Sequence, residues 1–267
     1  MFWAFIAALC AVPVGIFLIR PRVSKLFKGD FQGVKLEAFI GPVVTLTVFL
    51  AAFVVAQATQ TFQRAGSQST SEATAVSMMY EHGGMLPDGR GQALQAASVC
   101  YARSVLSLEW PAMESGKSAP EADHWAQQFN TEITSVLDAP GSIVGQLVGL
   151  NRTQSETRQM RIYESRPHLP QLTIVLMIAS IVGVILLLCS LATPDLRRRV
   201  LVPIALAMAV LLGGTLYLVE QLEEPFSGLI RVSPGLMTSV EAKASADFEV
   251  RYPGATLPCD AEGRPTD

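Results

Sequence analysis

The stretch FIGPVVTLTVFLAAFVVA, at residues 39–56, decides the fold because it runs for 18 residues without a charged side chain. About 20 residues of α-helix are needed to cross the ~30 Å hydrocarbon core of a bilayer. Three more uncharged runs, of 19, 20 and 20 residues, lie at 1–19, 172–191 and 200–219. Because backbone polar groups in lipid must be paired within their own segment, we predict that all four runs are transmembrane helices.

The composition fits a chain that lies in a membrane. Only 16% of its 267 residues are charged, whereas soluble domains average about 25%. The formal net charge is −3, so no basic excess points to nucleic-acid binding. We therefore predict an all-α, multi-pass protein of the cell membrane, with the lipid bilayer as a partner.

The predicted spans divide the chain into four regions. Residues 1–56 and 172–219 form two transmembrane hairpins, and residues 57–171 form a helical extramembrane domain between them. Residues 220–267 form a docking segment that ends in a flexible tail. We expect the flexible tail to begin after Val250, because turn-forming residues replace periodic apolar residues from there on.

Basic residues predict the orientation of the spans. The loop at 20–38 carries five Lys and Arg residues, and the loop at 192–199 carries three. By the positive-inside rule both loops are expected in the cytoplasm. The 57–171 region and the tail from Glu220 are then expected outside it.

Apolar residues of the 57–171 region recur three and four residues apart, which predicts two amphipathic helices. A third helical stretch, at 67–80, is predicted to continue directly from the second span, because no Pro or Gly pair interrupts the chain between them. The segment GSIVGQLVG at 141–149 is either a small-residue helix stripe or an irregular linker. The two apolar sets are Leu94, Ala97, Tyr101, Val105 and Leu108, then Trp125, Phe129, Ile133 and Val136.

The cysteines predict little on their own. Cys10 and Cys189 lie inside predicted spans, and Cys100 and Cys259 lie in the aqueous regions. No spacing supports a framework of disulfides, so two unpaired thiols are the expectation and a bond between Cys100 and Cys259 is the alternative.

The chain lacks the common signatures of catalysis. Its three histidines are scattered, and there is no zinc spacing, P-loop, dinucleotide fingerprint or Gly-x-Ser-x-Gly turn. We therefore expect no metal, no cofactor and no enzymatic activity.

The second predicted span offers candidate pore residues. Phe49 and Phe53 are one helical turn apart, and Thr45 precedes them by one turn. A ring of such helices would form an apolar constriction of the kind that gates by dewetting. The alternative is that the two rings face lipid or a neighbouring helix. No predicted span contains an ionisable residue, which argues against active transport.

Several motifs together resemble the bestrophin-like family, a group of mainly bacterial membrane proteins, over nearly the whole chain. The most specific motif is LEEPFSGLIRVSP, at residues 222–234. The residues that carry the resemblance are Glu72, Tyr101, Glu109, Trp110, Pro111, Arg158, Arg161, Pro225, Phe226, Gly228 and Pro234.

The resemblance extends to true bestrophins through Phe53, Phe62 and Arg64, which are similar to the pattern at the end of their second span. True bestrophins are pentameric anion channels. The resemblance therefore implies a homo-oligomer that conducts an inorganic anion, with Phe49 and Phe53 as candidate residues of the pore neck. It also implies a cytosolic middle region, which conflicts with the orientation predicted from the basic loops.

The charged motif residues allow two hypotheses. Arg158 and Arg161 share a helix face and can pair with Glu72 and Glu109 in a structural network. Alternatively, the two arginines form an anion-attracting vestibule. For the whole protein, the alternative to a channel is a non-conducting scaffold or sensor whose helical domain binds a partner.

Two further expectations concern the ends of helices. Pro111 is predicted to end the helix that begins near Gln92, with Trp110 at the membrane interface. In the tail, Phe226 is expected to dock on the helical bundle together with Leu229 and Ile230.

Overall fold

In its described part, the computed structural model consists of helices joined by turns and irregular segments, with one isolated antiparallel bridge between Cys259 and Pro265 and no strand. The all-α prediction is therefore confirmed for this part. The predicted span at 1–19 and most of both basic loops lie outside it. The described residues are 37–86, 89–137, 141–166, 170–191 and 198–266.

Eight α-helices are described within these ranges, and a π-helical turn, Val105–Glu109, joins the second to the third. They are α1 (Glu37–Gly83), α2 (Gln92–Ser104), α3 (Trp110–Met113), α4 (Pro120–Ser135), α5 (Gly141–Glu164), α6 (Gln171–Leu191), α7 (Arg198–Glu223) and α8 (Gly235–Arg251).

Three of the predicted spans lie within long helices, namely α1, α6 and α7. Among the described residues, the helix Gly41–Gly83 is long and apolar enough to cross a membrane, and Leu172–Val184 is a shorter apolar stretch. Only 17% of the apolar window in the first is buried, unlike the core helix of a soluble protein. The four-span arrangement itself stays a prediction.

Helix α1 runs without a break for 47 residues, about 70 Å at the rise of an α-helix. The predicted continuation of the second span into residues 67–80 is therefore confirmed. Hydroxyl side chains along it, such as those of Thr59, Ser69 and Thr74, donate hydrogen bonds to backbone carbonyls one turn earlier. These polar groups are satisfied within the helix itself.

The chain divides into two compact units. The first comprises Met1–Thr59 and Leu169–Glu220, and the second comprises Gln60–His168 and Gln221–Asp267. The C-terminal segment therefore folds together with the middle region. In the second unit α2 is central, because it packs against both α4 and α8. Its core residues include Leu94, Tyr101, Val105, Trp125, Phe129, Leu147 and Met237.

The predicted amphipathic helices correspond to α2 and α4, and their apolar stripes form this core. The prediction that Pro111 ends the first helix is wrong. The chain passes through the π-helical turn and continues in α3 as far as Met113. Pro111 is tolerated because it lies in the first turn of α3, where its missing N–H costs little.

The segment at 141–149 is helical, so the linker interpretation is wrong. Within the described residues, no part of the chain packs closely on the small-residue stripe. A Cβ atom on Gly141, Gly145 or Gly149 would meet no atom within 4 Å, so no other backbone in the described residues approaches this face.

The flexible tail predicted beyond Val250 is not what the structure shows. The indole Nε1 of Trp125 donates a hydrogen bond to the backbone oxygen of Gly263 at 2.7 Å. A disulfide joins Cys100 of α2 to Cys259 of the tail, so the expected unpaired thiols are also wrong. The turn-forming residues fold back on themselves, and Asp260 Oδ1 accepts hydrogen bonds from the amides of Glu262 and Arg264.

Gly263 is required where the tail meets α2. Its φ is +84°, and a Cβ atom there would overlap the backbone of Ser104. Gly254 has a similar φ of +83°, but a Cβ atom there would meet nothing within 4 Å. Substitutions at the two glycines therefore distinguish the cost of backbone strain, which both positions share, from the cost of steric overlap, which only Gly263 has.

We predict that Gly263→Ala destabilises the second unit more than Gly254→Ala. Left-handed backbone strain costs about 1–2 kcal/mol in both variants. Overpacking against α2 adds about 1–3 kcal/mol at Gly263 alone. Chemical unfolding in detergent measures the difference, and equal destabilisation of the two variants would show that the tail does not pack as described.

Candidate functional site

A network of buried charged and polar side chains lies at the centre of the second unit. It joins Glu72 of α1, Tyr101 of α2 and Glu109 of the π-helical turn to two arginines of α5, Arg158 and Arg161. All five residues were singled out in the sequence. The structure brings them into direct contact.

Arg161 is the centre of this network and is completely buried. Its Nε donates to Glu72 Oε2 at 2.5 Å, and its Nη2 donates to Glu109 Oε2 at 2.6 Å. Its Nη1 lies 2.9 Å from the sulfur of Met113. The guanidinium group also lies 5.4 Å from the centre of the Trp110 ring. One arginine therefore connects both buried carboxylates.

Arg158 connects the network to the surface. Its Nη2 donates to Glu109 Oε1 at 2.5 Å, and its Nη1 donates to Asp123 Oδ1 at 2.6 Å. The Asp123 side chain is 50% exposed, whereas that of Glu109 is fully buried. Glu109 is thus held by two arginines at once, and the planar guanidinium fork of Arg158 contacts both of its oxygens.

Tyr101 completes the hydrogen bonding of Glu72. Its hydroxyl donates to Glu72 Oε1 at 2.5 Å and accepts a hydrogen bond from Gln154 Nε2 at 2.6 Å. Gln154 was missed in the sequence, as was Asp123. The signal for Gln154 was its place on α5, four and seven residues before the two arginines and hence on the same face.

The network shifts the pKa values of its members. Burial of Glu109 opposes its ionisation, but the charge of Arg161 and the hydrogen bonds and charge of Arg158 outweigh burial and lower the pKa of that carboxyl. The pKa of Tyr101 is raised well above its ordinary value by burial and by the charges of Glu72 and Glu109. At neutral pH the tyrosine therefore stays protonated and donates to Glu72.

These contacts support the structural hypothesis for the two arginines. Both guanidinium groups are buried and bound by carboxylates, so they present little free positive charge to a passing anion. The vestibule hypothesis loses its physical basis for this pair. No group of three or more His, Cys, Asp or Glu residues in the described ranges is arranged to hold a metal ion.

The motif that follows α7 docks through one aromatic side chain. Phe226 is buried and packs edge-to-face on Trp110, with ring centres 5.3 Å apart. Trp110 therefore packs within the second unit, and its place at a membrane interface stays a prediction. Leu229 and Ile230 are exposed, so the expectation that they dock beside Phe226 is wrong.

Glycine and proline residues shape this motif. Gly228 has a φ of +75°, and a Cβ atom there would overlap the side chain of Gln221. The Oε1 atom of Gln221 accepts a hydrogen bond from the amide of Leu229 at 2.7 Å. The backbone oxygen of Pro225 accepts a hydrogen bond from the amide of Val232. Pro234 directly precedes α8, and its backbone oxygen accepts a hydrogen bond from the amide of Thr238 in the first turn of that helix.

The pore-neck candidates lie on an exposed face of α1. Phe49 is 70% exposed and Phe53 is 57% exposed, and Thr45 is exposed one turn earlier. Gln60 and Arg64 continue the exposed face at the same helical spacing. Within the described residues of one chain, these side chains have no packing partner that buries them.

We predict that Arg161→Gln destabilises the second unit by about 3–5 kcal/mol, because it leaves two carboxylates buried without their shared cation. Arg152→Gln is the matched control on the same helix. Arg152 pairs with Glu156 on the surface and is 79% exposed, so little change is expected. Thermal unfolding in detergent compares the two, and similar midpoints would contradict a structural role for the network.

We predict that Phe226→Asp prevents stable assembly, because a carboxylate would replace a ring buried against Trp110. Leu229→Asp is the control, since Leu229 is 81% exposed three residues later. Size-exclusion chromatography in detergent checks the result. A normal, monodisperse peak from Phe226→Asp would show that docking of this ring is dispensable.

Comparison with known proteins identifies the family of this chain and solved structures with a similar fold. A family model described as the Bestrophin-like domain matches residues 6–237. A crystal structure of a bacterial bestrophin homologue from Klebsiella pneumoniae, phased with zinc, is 13% identical, with a TM-score of 0.68 over 93% of this chain and 98% of that one. A mutant of that homologue gives 13% identity and a TM-score of 0.70 over the same shares of the two chains.

Another crystal structure, described as that of a membrane protein, is 12% identical with a TM-score of 0.67 over 100% of both chains. At these identities the likeness shows a shared fold. No curated protein matches the chain significantly. The family model covers most of the chain, and the residues that carried the sequence resemblance all lie within its range. The chain belongs to the bestrophin-like family.

Proposed function

We propose that this membrane protein assembles into a homo-oligomeric channel that conducts inorganic anions, with α1 lining the pore. The exposed face of α1 carries the proposal. Phe49 and Phe53 present more than half of their surface outside a single chain, on a helix long enough to cross a bilayer. Large apolar rings at helical spacing, repeated around an axis, form a constriction.

The chemistry of this face suits passive conduction. Residues 39–56 contain no ionisable group, so nothing in this span can relay protons or couple ion movement to a charge change. The hydroxyl of Thr45 lies one turn before the rings and is exposed, so it can donate a hydrogen bond to an anion that has lost part of its water shell. An enzymatic role is no part of this proposal.

The selectivity for anions rests on the family resemblance and on Arg64. This arginine is exposed and lies on the same face of α1 as the two rings. In a symmetric oligomer one such residue from each chain would form a ring of positive charge. Rings of basic side chains favour anions.

The proposed topology has four spans, with two hairpins at 1–56 and 172–219, the helical domain at 57–171 between them, and the C-terminal segment at 220–267. The basic loops at 20–38 and 192–199 lie in the cytoplasm. These boundaries follow from the uncharged runs and from the bias of Lys and Arg.

We predict that liposomes containing the purified oligomer release chloride, and that Phe53→Ala raises the flux by about tenfold because a wider, less apolar neck dewets less readily. Val48→Ala is the control, since Val48 is 61% exposed but lies on a different face of α1 from Phe53. Flux is measured with a chloride-sensitive dye at low and high salt.

Equal changes in both variants would place Phe53 outside the pore. A correctly assembled oligomer that conducts no ion under varied pH, voltage and calcium would refute the channel. The non-conducting scaffold would then replace it, and the search would turn to partners of residues 57–171.

A further inference from the structure

We infer that the second unit is a substrate of extracytoplasmic thiol oxidation, and that Cys100 and Cys259 are the modified residues. The unit therefore faces an oxidising compartment, on the opposite side of the membrane from the basic loops. The inference rests on the proposed four-span topology for the side of those loops. It does not rest on conduction.

The first observation is the bond itself. Cys100 lies in the middle of α2 and Cys259 in the tail, 159 residues later in the chain. Both belong to the second unit. Thiols of cytoplasmic proteins are kept reduced by the glutathione and thioredoxin systems, whereas disulfides persist in secreted and periplasmic regions. A structural disulfide between two distant segments therefore indicates the compartment in which the unit folds.

The surroundings of the bond exclude other uses for these two sulfur atoms. Cys100 is fully buried and Cys259 is 7% exposed, so neither is placed as a reactive surface thiol. No cluster of further ligands in the described residues would make this pair a metal site. Flanking contacts of the tail, from Trp125 to Gly263 and from Arg103 to Asp260, hold the segment in the position that the bond requires.

The chemistry requires a partner. Formation of the bond removes two protons and two electrons from two thiols, and the electrons pass to the disulfide of a thiol oxidase, which becomes a dithiol. The exchange proceeds through a mixed disulfide with one of the two cysteines. Because both sulfur atoms are buried once the unit has folded, the oxidase must act before or while the tail docks on α2.

The second observation is independent and electrostatic. Eight Lys and Arg residues lie in the two short loops between paired spans, five at 20–38 and three at 192–199. This bias places those loops in the cytoplasm and the 57–171 region on the other side. The charge bias of the loops and the disulfide are unrelated observations, and both favour a location outside the cytoplasm for the 57–171 region. Both oppose the cytosolic middle region that the resemblance to true bestrophins implies.

The first test counts free thiols in the native chain. Cells are quenched with acid, and the denatured protein is treated with a maleimide–polyethylene glycol reagent before or after reduction. Because two of the four cysteines form the disulfide, we expect two adducts before reduction and four after it. Cys259→Ser is the control, and it should give three adducts under both conditions.

A bacterial host that lacks its periplasmic thiol oxidase provides the comparison. We expect the oxidised fraction of freshly made chains to fall several-fold in that host. Four adducts before reduction in the normal host would overturn the inference, as would equal oxidation in both hosts.

The second test maps the orientation directly, in a chain with Cys10→Ala and Cys189→Ala that keeps the disulfide. Thr131→Cys adds one thiol at an exposed position of α4, and Ser24→Cys adds one in the first basic loop. We expect a charged, membrane-impermeant maleimide to label Thr131→Cys in intact cells and Ser24→Cys only after lysis.

Labelling of Ser24→Cys in intact cells, or protection of Thr131→Cys until lysis, would overturn the inference. Neither test measures ion flux. A chain that fails to conduct therefore still reports its orientation, and a conducting chain with free thiols would refute only the inference made here.

Discussion

The second unit depends on one carboxylate, that of Glu109, which two arginines of α5 share. Taking a carboxylate out of water costs several kcal/mol, and the cost is offset only where charge and hydrogen bonds replace the lost hydration. Both oxygens of Glu109 are bound, one by Arg158 and the other by Arg161 and Arg158 together. The π-helical turn ends at this residue, between α2 and α3. Arg161 also binds Glu72, so the irregular turn, the packing of α5 and the buried Glu72 are joined by this one arginine.

A buried ion network of this kind is weak evidence for net stability, because apolar residues of similar volume often replace one at equal or greater stability. Our hypothesis is that its contribution here is to the register of α5 against α1 and α2. Arg161 contacts Glu72 and Glu109 together in the observed position of its helix. The hydrogen bond from Tyr101 to Glu72, and that from Gln154 to Tyr101, specify the same position from a second direction.

Local patterns in the sequence were enough to predict the helices but not their partners. Uncharged length predicted the apolar parts of α1, α6 and α7, and apolar spacing predicted α2 and α4, because both signals lie within a few turns of one helix. The pairing of Arg158 and Arg161 with Glu72 and Glu109 was one of two open hypotheses, since spacing shows which residues share a face but not what covers it. The role of Asp123 depends on where α4 packs, which no local pattern contains.

The failures have the same physical origin. The bond between Cys100 and Cys259 and the docking of Gly263 on Ser104 join segments far apart in sequence, so local composition alone predicts a flexible tail. The continuation past Pro111 was missed because the rule that proline ends a helix assumes regular α-helical geometry before it. A π-helical turn changes that geometry.

The disulfide also changes the connectivity of the chain. Residues 101–258 lie between its two cysteines, so this part of the backbone forms a covalently closed ring that contains both α6 and α7. A single peptide bond cut inside the ring, for example between residues 192 and 199, opens the ring but does not separate the chain into two pieces. The predicted hairpin at 172–219 would thus stay tethered to the folded unit at both of its ends, even after a cut between its two helices.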